Sequence, residues 1–201
     1  MSAFESSETQ ALDVSGLSTD AIAELRSDHA GETGAVYIYL GLLAISKDPI
    51  LRQFADAHLA TEQRHLMTLD GLLPKHAQSK CLPLWRLAGW SLGAIAALGG
   101  RFFAYTTIQA VETFVVEHYQ QQLPLFPAPL RTLLESFCAD EAHHRDEARL
   151  AAHPGSKYRL WHWLVASGSA AAVGLARRPV SYTHLRAHET GRNLVCRRVL
   201  E

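Results

Sequence analysis

Two Glu-x-x-His pairs, Glu62/His65 and Glu141/His144, are each preceded at nearly the same interval by a lone glutamate. Glu32 lies 30 residues before Glu62, and Glu112 lies 29 before Glu141. On a helix, positions i and i+3 share a face, so each pair can offer a carboxylate and an imidazole to one metal ion. Two such helices and two single-glutamate helices supply four carboxylates and two imidazoles. That is the donor set of a carboxylate-bridged di-iron or di-manganese centre in a four-helix bundle. One Glu-x-x-His pair is a short motif with a high false-positive rate; two pairs with matched upstream glutamates read as a duplicated unit. Charge supports the same reading. Four buried carboxylates would repel or stay protonated if unpaired. Two divalent ions cancel them and leave both imidazoles neutral. The set holds no thiolate, which argues against structural zinc and suits iron or manganese.

These residues need helices to carry them, and the chain reads as all-α. Asp20 or Thr19 is the expected N-cap of a helix over about 20–46, and Pro49 suits the first turn of a second over about 49–73. An apolar segment over 82–100 follows, then helices over about 101–122, 130–151 and 157–177, the last after the break His153-Pro154-Gly155. The expected order is up–down, a crossover through 82–100, then up–down again. The fold class is a ferritin-like four-helix bundle with two additional apolar helices. Tyr39 and Tyr119 each follow a lone glutamate by seven residues, nearly the same helical face, so each glutamate has a tyrosine in line with it. Asp28, four residues before Glu32, is a candidate outer acceptor for a ligating imidazole, and Asp140 a weaker one. His58 reads as a surface histidine. His118 and Tyr119 fall near the site by helix geometry.

The remaining chain bounds the function. With 201 residues, 48% hydrophobic and 19% charged, it suits one globular domain, and a net charge of −1 gives no reason to expect nucleic acid. Cys81, Cys138 and Cys196 stand singly, as expected in a reducing compartment. Residues 1–19 are expected to be a disordered tail: they are polar and acidic, and they match neither a signal nor a transit peptide. Residues 180–190 resemble translated sequencing adapter, so 179–201 are expected to be non-native, and His184, His188 and Cys196 are set aside as ligands. Leu87 to Gly100 carries no charge but is shorter than the about 20 residues a span requires. It suits an interfacial helix with Trp85 and Trp90 at headgroup depth, joined by the last helix with Trp161 and Trp163. The alternative is that both helices are buried core.

Several strings resemble one family. They are Asp28-His-Ala-Gly-Glu-Thr-Gly-Ala35, Glu62-Gln-Arg-His65, Pro83-Leu-Trp85, Ala110-Val-Glu112, His118-Tyr119 and Asp140-Glu-Ala-His-His-Arg-Asp146. Over residues 20–178 the chain is similar to the demethoxyubiquinone hydroxylases. The resemblance implies a membrane-bound di-iron monooxygenase of ubiquinone biosynthesis, which hydroxylates the ring of a demethoxyubiquinol with O2 and NADH-derived electrons. Two Fe ions would be held by Glu32, Glu62, His65, Glu112, Glu141 and His144, with His118 and Tyr119 as catalytic residues. A bacterial-type member would lie peripherally on the cytoplasmic face of the inner membrane. Its partners would be the lipophilic quinol, the membrane surface, and a homo-oligomer or ubiquinone-biosynthesis complex. Competing readings are a rubrerythrin-like peroxidase or oxidase, which normally adds a thiolate iron site absent here, a non-enzymatic iron-binding protein, and a hydroxylase acting elsewhere on the same ring.

Overall fold

A computed structural model describes residues 12, 14–152 and 158–178. The His153–Gly155 break and the adapter-like stretch lie outside these residues, as does most of the N-terminal segment. The described residues form six helices and no strand: α1 (Thr19–Ile45), α2 (Pro49–Leu72), α3 (Leu82–Leu98), α4 (Arg101–Gln122), α5 (Ala128–Ala151) and α6 (Arg159–Ala176). Local chemistry sets their ends. The N-cap of α1 is Ser18 rather than Asp20 or Thr19, and its hydroxyl accepts from the Ala21 N–H at 3.1 Å. Asp48 caps α2 by accepting from Ile50 and Leu51, with Pro49 in the first turn. α5 begins at Ala128, two residues earlier than expected, because Pro129 is tolerated in a first turn.

Contacts fix the helix directions. His29 meets Asp70 and Tyr39 meets His58, so α1 and α2 run antiparallel. His58 meets Glu147 and His65 meets Asp140, which makes α2 and α5 antiparallel as well. α3 runs parallel to α1, with Gly89 against Gly34 and Gly93 against Ile38 and Leu42. At its 17 residues α3 is about 25 Å long, so it carries the chain back along the bundle. α4 therefore enters at the far end and runs antiparallel to α1, pairing Tyr39 with Glu112 and Tyr119 with Glu32. The expected second up–down hairpin is thus a down–up one. The two halves are related by rotation, not by translation.

Two apolar clusters bracket the ligand layer. One gathers Leu42, Leu51, Ala55 and Ile108; the other gathers Leu25, Leu69, Leu130 and Leu134. Each fully buried leucine contributes roughly 1.5–3 kcal/mol. α3 and α6 differ from the other four helices. Leu84, Leu87, Trp90, Ile95 and Leu98 on α3 are exposed, as are Leu160, Trp163 and Leu164 on α6. These faces are not core, which corrects that alternative. The tryptophans also divide: Trp90 and Trp163 face outward, while Trp85 and Trp161 line a cavity. No helix among the described residues is long and apolar enough to cross a membrane.

The α1–α3 seam depends on glycine. A Cβ at Gly93 would collide with the Ile38 carbonyl, one at Gly41 with the Trp90 carbonyl and one at Gly89 with the Gly34 carbonyl. At the α3–α4 turn, Gly100 takes φ 84°, a conformation that suits glycine. Gly93→Ala should force the two helices apart and lower stability by roughly 1–3 kcal/mol, seen as a lower midpoint in thermal circular dichroism. Gly71→Ala, where a Cβ meets nothing within 4 Å, should be neutral or slightly stabilising in the same measurement.

Candidate metal centre

The duplicated motif closes into one site. Glu32 comes from α1, Glu62 and His65 from α2, Glu112 from α4, and Glu141 and His144 from α5; none is more than 4% exposed. Donor atoms of Glu32, Glu62, His65 and Glu141 lie within 4.8 Å of one another, and so do those of Glu62, Glu112, Glu141 and His144. Glu62 and Glu141 belong to both groups. The arrangement therefore offers two positions that share two carboxylates, each with its own glutamate and its own imidazole. The spacing counted six donors but could not say which were shared. Sharing arises because Glu62 and Glu141 project from α2 and α5 toward each other.

The protein alone leaves this cluster unsatisfied. Glu32 Oε2, both Glu62 oxygens, Glu141 Oε1 and His65 Nδ1 are buried without a hydrogen bond. His65 Nδ1 lies 2.9 Å from Glu141 Oε1 and 3.7 Å from Glu32 Oε2, and His144 Nδ1 lies 3.1 Å from Glu62 Oε1 and 3.2 Å from Glu141 Oε2. Burial, and then the Glu141, Glu32 and Glu112 carboxylates, push Glu62 well above the usual carboxylate range. Burial and Glu141 do the same to Glu112. Burial would raise Glu141 too, yet the His144 and His65 imidazoles hold it at about 2. Burial opposes charge on His65, but Glu141 and Glu32 outweigh it and raise the imidazole to about 10. Inward-facing lone pairs with no donor are what two hard or borderline cations would satisfy, so the donor set fits two divalent ions.

Outer contacts differ from the expectation. The remaining nitrogen of His65 bonds Asp140 Oδ2 at 3.1 Å; Asp28, the favoured candidate, instead approaches His118 and Gln122. His58 is not a surface residue. It is 3% exposed, its ring packs 4.0 Å from that of His144, and its Nε2 lies 2.8 Å from Glu147 Oε2. Burial and the neighbouring His144 depress its imidazole to about 4. Phe137 takes the matching place in the other half, stacked 4.0 Å from His65. A histidine four residues before Glu62, on the same face, was the available signal for His58.

The two tyrosines do not serve the glutamates they follow. Tyr119 donates to Glu32 Oε1 at 2.7 Å, and Tyr39 donates to Glu112 Oε1 at 3.2 Å. Seven residues are about 10.5 Å along a helix, too far for a phenol to reach back to its own glutamate. Antiparallel α1 and α4 bring each phenol to the other half's glutamate. Of the pair expected from resemblance, Tyr119 thus touches a site carboxylate, while His118 lies 3.3 Å from Asp28 and 3.6 Å from Glu24.

A cavity of about 400 Å³ reaches this layer from between α3 and α6. Glu32, Glu62 and Glu141 face its inner end, and Trp85, Leu92, Trp161 and Leu164 line its apolar walls. A mostly apolar pocket with a few convergent polar groups is the form of a small-molecule site.

Known proteins share this sequence over most of its length. The family model described as Ubiquinone biosynthesis protein COQ7 matches residues 20–176. A Dictyostelium discoideum protein named NADPH-dependent 3-demethoxyubiquinone 3-hydroxylase, mitochondrial, is 32% identical over 171 residues, 77% of this chain and 75% of its own length. The Caenorhabditis elegans protein of the same name is 30% identical over 166 residues, 77% and 88% of the two chains. A Rhodospirillum rubrum 3-demethoxyubiquinol 3-hydroxylase is 37% identical over 132 residues, 61% of this chain and 60% of that protein.

Crowded carboxylates make a stability prediction. The Glu62 carboxyl is raised above the 4.5 of an ordinary glutamate, so the folded chain holds a proton that the unfolded chain releases. Its penalty is absent below that value and grows as pH rises. Glu62→Gln should therefore stabilise chelator-treated protein by roughly 1–3 kcal/mol at pH 8 and have little effect near pH 4, read from thermal melts.

Proposed function

The chain belongs to the ubiquinone biosynthesis protein COQ7 family, and from this we propose that it hydroxylates the ring of a demethoxyubiquinol at two iron ions. In this reading Glu32 and His65 would hold one ion and Glu112 and His144 the other, with Glu62 and Glu141 available to both. The observation that carries it is the shared pair Glu62/Glu141 at the closed end of an apolar cavity. Iron, when bound, would supply the redox chemistry that activates O2, with its reducing equivalents drawn from the external reductant.

The protein's own residues do the rest. Tyr119 and Tyr39 fix one carboxylate oxygen each on Glu32 and Glu112, which holds those ligands in register. Asp140 orients the His65 ring. Trp85 and Leu92 give apolar walls to the space where an aromatic ring would meet the ions, with Leu164 at its exposed edge. The exposed leucines and tryptophans on α3 and α6 flank that space. They suit a protein that rests on a bilayer and draws a polyprenyl quinol from it, a peripheral mode that needs no spanning helix. The reductant is a reduced nicotinamide. The resemblance pointed to NADH, whereas the names of the Dictyostelium and Caenorhabditis relatives specify NADPH.

Iron-loaded protein, given short-tailed demethoxyubiquinol, NADH or NADPH with an electron carrier, and isotope-labelled O2, should yield a ring bearing one labelled oxygen by mass spectrometry. Two irons per chain without hydroxylation would leave the metal site standing and defeat the substrate assignment. Metal analysis separates the ligand roles: Glu32→Ala should keep one of two irons, while Glu141→Ala, which removes a carboxylate common to both donor groups, should lose both. Leu87→Glu with Leu98→Glu should weaken flotation with lipid vesicles at least about ten-fold, since each leucine buried in lipid contributes roughly 1.5–3 kcal/mol.

A further inference from the structure

The two helices with exposed apolar faces also lie where the chain's charge is segregated. Between Asp70 and Glu112, and from Leu150 through Arg178, the sequence holds no aspartate or glutamate. The same stretches hold eight of the fifteen lysines and arginines found between residues 20 and 178. α3 and α6 fall inside them. The fifteen acids of that range sit on α1, α2, α4, α5 and the turn at Asp48.

Contacts gather several of these cations at one end of the apolar face. Arg26 donates to the Ala77 carbonyl at 2.6 Å and to the Arg177 carbonyl at 3.2 Å, so the α2–α3 loop and the end of α6 meet over one guanidinium. Lys75 and Lys80 are exposed on that loop, Arg86 is exposed on α3 between the exposed Leu84 and Leu87, and Arg178 is exposed after α6. Two acids at this end are engaged. Glu24 accepts from Arg177 at 2.9 Å, while Asp70 accepts from Gln78 at 3.2 Å and lies 2.8 Å from His29. Asp20, in the first turn of α1, is exposed. At the other end of α3, Arg101 pairs with Asp48 at 3.4 Å.

The side of the bundle behind the ligand layer has the opposite sign. There Asp140, Asp146 and Glu147 on α5 are each about half exposed, and Arg145 and Arg149 both pair with Asp146. An anionic bilayer fits the front and repels the back. Leucine and tryptophan enter the apolar boundary, and lysine and arginine reach the phosphates on long apolar stems. Each cation held within a Debye length of an anionic surface strengthens binding about five-fold.

We propose that the α3–α6 face docks on an anionic phospholipid surface, with Lys75, Lys80, Arg86 and Arg178 at the level of the headgroups. This rests on the reading that the face meets a bilayer, and it adds which headgroups that bilayer must carry.

Flotation of the full-length protein tests it with two vesicles, phosphatidylcholine alone and equal parts phosphatidylcholine and phosphatidylglycerol. Wild type should bind the mixed vesicles about ten-fold more tightly or better, and the preference should shrink as salt is raised. Lys75→Gln with Lys80→Gln should lower binding to mixed vesicles about ten-fold or more and leave binding to phosphatidylcholine and the melting midpoint unchanged. Arg64→Gln with Arg149→Gln, the same charge change on α2 and α5, should keep the preference. Equal binding of both vesicles by wild type overturns the proposal and leaves the bilayer reading intact. An equal loss in the two double variants overturns it too, since net charge rather than this face would then be responsible. If wild type floats with neither vesicle, the bilayer reading fails and the proposal with it; sedimentation of that protein as a dimer would put a second copy on the face instead.

Discussion

Six ionisable side chains, none more than 4% exposed, meet in the middle of a helical bundle, and every other feature of the fold answers to that. Four carboxylates at this density cannot all be ionised in a low-dielectric core unless cations or protons offset them. Here two imidazoles lie against them, which is why Glu141 is held low while Glu62 and Glu112 are driven high. That imbalance marks a donor cluster that could hold metal ions. The apolar layers above and below compensate for the local destabilisation by burying leucines that make no polar demands.

The two-fold arrangement turns a tandem duplication into a single site. Had the second hairpin repeated the direction of the first, Tyr39 and Tyr119 would each have remained about 10.5 Å along the bundle from both lone glutamates, Glu32 and Glu112. Because α4 runs against α1, the same seven-residue interval delivers each phenol across the bundle to the opposite half. The symmetry is broken where His58 in one half corresponds to Phe137 in the other. The outer environments of the two candidate positions therefore differ: the His144 imidazole packs on a polar ring tied to Glu147, the His65 imidazole on a phenyl ring.

α3 has three duties that constrain its composition. It reverses the chain between the two halves. It packs so closely on α1 that Gly41, Gly89 and Gly93 admit no Cβ. It also presents leucines outward while Trp85 faces the cavity. The small residues follow from backbone approach and the large exposed ones from the outer face, so its largely apolar composition, with Arg86 the one charge, reflects two separate causes.

Residue types and spacing picked out six candidate donors that the fold gathers, the all-helical class and the helix boundaries to within about two residues, because helical periodicity is local and a ligand pair at i and i+3 needs only one helix. Proline at Pro49 and the glycines at Gly99 and Gly100 carried the turns for the same reason. The three-dimensional structure decided which carboxylates are shared, which tyrosine serves which glutamate, that Asp140 rather than Asp28 supports His65, and that His58 is buried. Each of these depends on how two helices distant in sequence lie against each other. That is set by the direction α3 imposes on α4, which no periodicity within a single helix encodes.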